Sequence, residues 1–175
     1  MNQAQLQQRA AAIRLAIFDV DGVLTDGRLY FMPDGTEFKS FNTLDGHGIK
    51  MLINSGVEVA IISGRQSPLV ERRAANLGIK HLIQGREDKL NALAELREIV
   101  PVELDKIAFL GDDLPDLTVM RRVGLGMAVA SADAFVRQHA HGVTQANGGA
   151  GAAREFCEFI MRAQGTLDAA QAAYL

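Results

Sequence analysis

The sequence predicts a doubly wound α/β fold, with a mainly parallel sheet and helices on both faces. Three observations predict it. Short apolar runs rich in β-branched residues recur along the 175 residues, helical stretches separate them, and most chemically capable side chains fall just after the runs. Strands alternating with helices need crossover connections, which are right-handed and give parallel pairing.

The elements follow in order. Ile13 to Val20 reads as a buried strand. Arg28 to Met32 and Thr36 to Phe41 are extended, and Pro33-Asp34-Gly35 is a turn signal between them. They predict a β-hairpin, about 28–41, projecting just after the first strand. Gly48 to Asn54 has the apolar spacing of a short helix, and Val57 to Ile62 is the second core strand. Ser67 before Pro68 is a helix start, and Gly78 ends that helix after Leu77. Ile79 to Ile83 is the third strand. Asp88 to Val100 is a helix stopped by Pro101. Lys106 to Leu110 and Leu125 to Ala130 are the fourth and fifth strands. Ser131 could cap a helix through His139, and a last helix spans Ala152 to Ala163. The sum is a Rossmann-like sheet in a single domain over 1–175, with a C-terminal arm at 164–175.

Composition excludes several classes. Hydrophobic residues make up 48% and charged residues 22%, which describes a globular chain rather than a disordered one. The net charge of -3 gives no electrostatic reason to bind nucleic acid. Met1 to Ala12 is polar and Gln-rich, so neither a secretory signal nor a membrane span is expected there. The lone cysteine, Cys157, sits in a helical context and reads as a core thiol. Together these predict a cytoplasmic protein.

Ligands of open α/β sheets bind outside the carboxyl ends of the strands. Asp19-Val20-Asp21-Gly22 ends the first strand, and Ser63-Gly64-Arg65 follows the second. Lys89 opens the helix after the third, and Gly111-Asp112-Asp113, with Asp116 beyond, follows the fourth. Singly, each has an ordinary explanation as a turn, a cap or a solvated surface group. Jointly they converge on one edge from distant parts of the chain. Packed carboxylates repel and call for a hard divalent cation, and Mg2+ takes a few carboxylates, water and substrate phosphate. A lysine and a serine hydroxyl beside the metal suit a phosphate. Asp19 can attack phosphorus as a nucleophile, and Asp21 lies near enough to act as general acid and then base.

Asp19-Val20-Asp21-Gly22-Val23-Leu24-Thr25-Asp26 resembles the first signature of the haloacid dehalogenase superfamily. Ser63, Lys89 and Gly111-Asp112-Asp113-Leu114-Pro115-Asp116 resemble its later signatures, in order. The second aspartate marks the phosphatases and phosphomutases of the superfamily rather than its dehalogenases. Thr25-Asp26-Gly27, the hairpin, Leu44-Asp45-Gly46-His47-Gly48, Ile62-Ser63-Gly64-Arg65, Gln84-Gly85 and the stretch from Gly148 to Glu155 resemble a narrower family, the phosphatases of 3-deoxy-D-manno-octulosonate 8-phosphate in lipopolysaccharide biosynthesis.

That resemblance implies several things. Magnesium would be held by Asp19, the Asp21 carbonyl and Asp112, with Asp113 or Asp116 in support. Ser63 and Lys89 would hold phosphate. Gly64, Arg65 and Arg73 would meet the phosphorylated keto sugar acid, with Arg73 on its carboxylate. It implies no cap domain, and a homotetramer in which neighbouring subunits complete the site. His47 receives no chemical role. The glycine stretch 147–151 reads better as a flexible arm than as a phosphate cradle. Two alternatives stand beside hydrolysis of the eight-carbon substrate: a phosphatase of nine-carbon keto sugar acids, and a non-catalytic scaffold of the same fold.

Overall fold

In the computed structural model, which describes residues 2–175, six strands form one parallel sheet. They are β1 (Leu15–Phe18), β4 (Glu58–Ile62), β5 (His81–Ile83), β6 (Ile107–Gly111), β7 (Leu125–Ala128) and β8 (Gly142–Val143), in the order β5-β4-β1-β6-β7-β8. The two central strands, β1 and β6, are buried at every position, as continuous apolar runs covered on both faces should be. From β1 the chain crosses to β4 and β5 on one side, and later to β6, β7 and β8 on the other. The crevice at this reversal, between the carboxyl ends of β1 and β6, is where such sheets hold ligands.

The helices form two packed sets. α1 (Gln3–Ala11), α2 (Thr43–Asn54), α3 (Pro68–Leu77) and α7 (Ala152–Ala163) are linked by mutual contacts, as are α4 (Lys89–Ile99), α5 (Leu114–Met120) and α6 (Ala134–His139). α8 (Leu167–Ala172) follows α7. The helix from Ser67 to Gly78 has the predicted ends: the Ser67 hydroxyl accepts from Leu69 N, and Gly78 adopts φ +78°.

Other boundaries moved. α2 begins five residues before the expected Gly48, because Asn42 accepts from Leu44 N and Asp45 N and caps it there. Gly46 and Gly48 had hidden this first turn. α6 is capped by Asp133, not Ser131. The Ser131 hydroxyl instead accepts from Gly148 N. α1, β8 and α8 were not anticipated. α1 is held by a capping box between Asn2 and Gln5, and α8 is pinned by buried Leu167. Cys157 is fully buried, and burial pushes its thiol well above the ordinary range.

The hairpin forms as β2 (Tyr30–Phe31) and β3 (Glu37–Phe38), shorter than predicted. Tyr30 and Phe38 stack at 4.8 Å, and Leu29, Phe31, Met32 and Phe38 are exposed. Among the described residues, only this hairpin and α2 lie between β1 and β4, and no cap domain is inserted. The glycine stretch 147–151 is not a loose arm. Gly149 N donates to Val23 O, and Gly148 lies so close to the Gly22 carbonyl that a Cβ could not fit. It buttresses the loop after β1.

Candidate active site

A cleft of about 460 Å³ opens at the switch point, lined among others by Asp19, Asp21, Ser63, Gly64, Arg65, Lys89 and Asp112. Asp19 leaves the end of β1, and its amide donates to Leu110 O of β6. Asp112 leaves the end of β6. The chain turns sharply after Asp21 at Gly22, where φ is +92° and a Cβ would collide with the Asp112 carboxylate. Glycine there lets the two loops approach.

Lys89 organises the floor. Its ammonium is 2.8 Å from Asp19 Oδ1 and 2.5 Å from Asp116 Oδ1, with the side chain 5% exposed. Asp88 caps α4 by accepting from Leu90 N and Asn91 N, which fixes Lys89 at the first helical position. Asp116 Oδ2 accepts from the amides of Asp112 and Asp113, so one carboxylate orders the lysine and the β6–α5 turn together. Asp113 also lines the cleft and caps α5 by accepting from Leu114 N.

Charge is not balanced. Asp19, Asp112 and Asp116 offer oxygens within 4.8 Å of one another, against one ammonium. Burial, then the nearby Asp116 charge, pushes Asp19 up to about 7. Burial, with Asp116 and Asp19, pushes Asp112 up to about 8. Burial alone would lower Lys89, but the two carboxylates outweigh it and raise the ammonium's pKa. Asp112 Oδ1 is buried without a hydrogen-bond partner. An orphaned carboxylate oxygen among excess acidic groups fits a divalent cation bound by oxygen.

Comparison with known proteins adds to this geometry. A haloacid dehalogenase-like hydrolase family model matches residues 81–156. The 3-deoxy-D-manno-octulosonate 8-phosphate phosphatase of Yersinia pestis is 50% identical over 163 residues, 93% of this chain and 87% of that protein. The chain belongs to the 3-deoxy-D-manno-octulosonate 8-phosphate phosphatase family of haloacid dehalogenase-like hydrolases. Two crystal structures of family relatives superpose closely. The Moraxella catarrhalis phosphatase, in complex with magnesium ion, phosphate ion and KDO molecule, gives a TM-score of 0.97 at 43% identity, covering 99% of this chain and 100% of that one. A "probable yrbi family phosphatase" from Pseudomonas syringae gives 0.97 at 66% identity, covering 98% of each.

With the family established, the residues singled out in the sequence divide. Asp19, Asp21, Ser63, Gly64, Arg65, Lys89 and Asp112 share the cleft. Arg73 does not line it: its guanidinium donates to Asn42 O at 3.0 Å and lies 5.7 Å from the Phe41 ring centroid. His47 sits on α2 against Tyr174, at 5.3 Å between ring centroids. Asp45, in the same family motif, is buried and accepts from Gly151 N and Arg154 N, tying α2 to the start of α7.

Three residues at or beside the site were missed from sequence. Lys39 donates to the Asp21 carboxylate, and Glu37 joins Lys39 to Arg65. The alternation of the hairpin strand puts Glu37 and Lys39 on one face and Phe38 on the other, which is the signal that could have found them. Glu87 also lines the cleft, from the β5–α4 loop.

Proposed function

We propose that this chain hydrolyses 3-deoxy-D-manno-octulosonate 8-phosphate to the free sugar acid and inorganic phosphate, in lipopolysaccharide core biosynthesis, through an aspartyl phosphate on Asp19. The observation that carries it is Lys89 bridging Asp19 and Asp116 beside the orphaned Asp112 oxygen, in a family whose relatives carry this activity. Ser63 and Lys89 hold the phosphate. An Asp19 carboxylate oxygen attacks phosphorus, the bond from phosphorus to the sugar oxygen breaks, and Asp21 gives that oxygen its proton. Asp21 then takes a proton from water as the water oxygen attacks phosphorus, which releases phosphate and restores Asp19.

Asp19, the Asp21 backbone carbonyl and Asp112 would hold Mg2+, which when bound offsets the negative charge of the phosphoryl oxygens. Asp116 keeps Lys89 and the 112–113 amides in place. Gly64 and Arg65 meet the substrate. Arg73 is assigned instead to the junction of the hairpin and α2, because it is bonded there.

The assembly is proposed to be a homotetramer whose neighbours complete the site. The exposed apolar residues of the hairpin support this, since Leu29, Phe31, Met32 and Phe38 are all on a two-stranded element with little else to bury them. A cytoplasmic setting is supported by one buried, unpaired cysteine and by no described helix being long and apolar enough to cross a membrane.

Steady-state phosphate release from the eight-carbon and nine-carbon keto sugar acid phosphates tests the substrate. The expected result is a higher kcat/KM for the eight-carbon compound, and preference for the nine-carbon one overturns the assignment. Asp19→Asn should lower turnover by at least ~10³-fold while Mg2+ binding largely survives. Full activity in that variant would remove the covalent mechanism.

A further inference from the structure

We propose that Lys39 is a positioning residue for the acid/base Asp21, delivered to the site by the hairpin. The inference rests on the functional reading above and adds to it a residue outside the signature motifs.

Lysine is among the side chains least often buried, and two-stranded hairpins hold their shape poorly alone. Lys39 lies just past the end of β3, yet its side chain is 2% exposed. Its ammonium reaches the Asp21 carboxylate and sits 3.2 Å from Glu37 Oε1. Glu37 Oε2 takes Arg65 Nη2 at 2.9 Å. The chain Asp21–Lys39–Glu37–Arg65 alternates in sign and adds no net charge to a cleft already rich in carboxylate.

The contact is specific in its atoms. Lys39 donates to Asp21 Oδ1, and among the described residues it is the only hydrogen-bond donor to that carboxylate. Oδ2 is left without a protein donor. A general acid must present one oxygen to the leaving group within hydrogen-bond reach, and a carboxylate on a free rotamer does so only part of the time. Lys39 holds one oxygen and thereby aims the other. Phe38, on the opposite face of the strand, stacks on Tyr30, so the polar chain of Glu37 and Lys39 runs along the other face.

The proposal separates from a merely structural role by leaving-group dependence. Sugar alkoxide leaves poorly without a proton, whereas p-nitrophenolate leaves well without one. The kcat/KM value covers only the steps up to departure of the alcohol, so it reports the acid role of Asp21 and not its later base role. With the full-length protein and Mg2+, kcat/KM is measured for the sugar acid phosphate and for aryl phosphates from p-nitrophenyl to phenyl.

Lys39→Met is expected to lose ~10–100-fold on the sugar phosphate and less than ~3-fold on p-nitrophenyl phosphate, so that kcat/KM falls more steeply with leaving-group pKa. Lys39→Arg should recover part of the loss. Asp21→Asn with Lys39→Met should be no worse than Asp21→Asn alone, since the lysine would have nothing left to aim.

Equal losses on every substrate would overturn the proposal in favour of a folding role. A loss confined to the sugar phosphate with an unchanged aryl slope would overturn it in favour of direct contact with the sugar. Additive losses in the double variant would also overturn it. If the wild type released phosphate from no compound in the set, the phosphatase reading itself would fall, a result distinct from any of these.

Discussion

Two lysines paired with aspartates of the cleft do similar electrostatic work on different foundations. Lys89 bridges Asp19 and Asp116, and Lys39 bridges Asp21 and Glu37. Lys89 starts a helix capped by Asp88, with Ala92, Leu93 and Leu96 of the same helix buried. Lys39 hangs from two short strands whose outer apolar residues are exposed. The floor of the site is therefore held by the core of the domain. The wall that carries Lys39 is held by its ion pairs.

Removing Lys89 should break the comparison most severely. Lys89→Met leaves buried Asp19 and Asp116 and half-buried Asp112 facing one another without their one ammonium, and loss of one partner from a buried pair costs about 3–5 kcal/mol. Turnover should fall by ~10³-fold or more, since the phosphate loses its fixed positive charge. All substrates should suffer alike, including activated aryl phosphates, which Lys39→Met should spare. Chemical denaturation and aryl phosphate kinetics on the two variants check this. A Lys89 variant that discriminated between leaving groups would mean the two lysines share one role.

The floor should also show itself in the pH dependence of stability. Asp19 and Asp112 are raised from 3.8 to about 7 and about 8 in the folded chain, first by burial and then by neighbouring carboxylates. Between the unfolded and folded values the native state binds more protons than the unfolded state, so stability falls as pH rises. Without metal, the melting temperature should drop between pH 4 and 8 by several degrees, at ~2–4 °C per kcal/mol for a chain of this size. Added Mg2+ should raise the melting temperature more at pH 8 than at pH 5, because it replaces protons on the same oxygens. Calorimetry at both pH values, with and without Mg2+, checks it. A metal-free protein more stable at pH 8 than at pH 5 would contradict the charge assignment.

The same contrast explains what could be read from sequence. The floor was legible because its residues follow strands, and strand ends can be located from apolar runs; Asp19, Ser63, Lys89 and Asp112 needed nothing more. The wall was not. Lys39 is one charged residue just past the hairpin's second strand, and only the fold of the hairpin against the loop after β1 brings it to Asp21. Arg73 shows the opposite case. It was read as a substrate ligand from resemblance, but its position on α3 faces the start of α2, and the Asn42 carbonyl takes the guanidinium. The N-terminal helix was missed because its Gln-rich sequence carries a weak apolar stripe, and only Ala10 is buried along it.

The wall should be more sensitive than the floor to assembly. Phe31→Ser with Phe38→Ser removes exposed apolar surface from both faces of the hairpin and leaves Glu37 and Lys39 unsubstituted. Light scattering should show a smaller particle, and turnover of the sugar phosphate should fall ~10-fold as the hairpin loosens, while metal-dependent melting stays close to wild type. An unchanged mass would separate the hairpin from assembly.

The smallest effect belongs to the comparison of two arginines. Arg65 lines the cleft and is joined to Lys39 through Glu37. Arg73 is bonded to Asn42 O and lies over Phe41, where the chain returns from the hairpin into α2. Gly46 beneath it has no side chain, and a Cβ there would meet the guanidinium, so the arginine fills a space shaped for it. Arg65→Ala should raise KM for the sugar phosphate by ~10-fold, as expected for loss of a charge-assisted hydrogen bond. Arg73→Ala should change KM by less than ~3-fold and instead lower stability by about 1 kcal/mol, the value of a partly buried hydrogen bond. Steady-state kinetics and thermal melting of the two variants decide between them. If Arg73→Ala raises KM as much as Arg65→Ala and leaves the melting temperature alone, Arg73 reaches the substrate, and its bond to Asn42 must give way when the substrate binds.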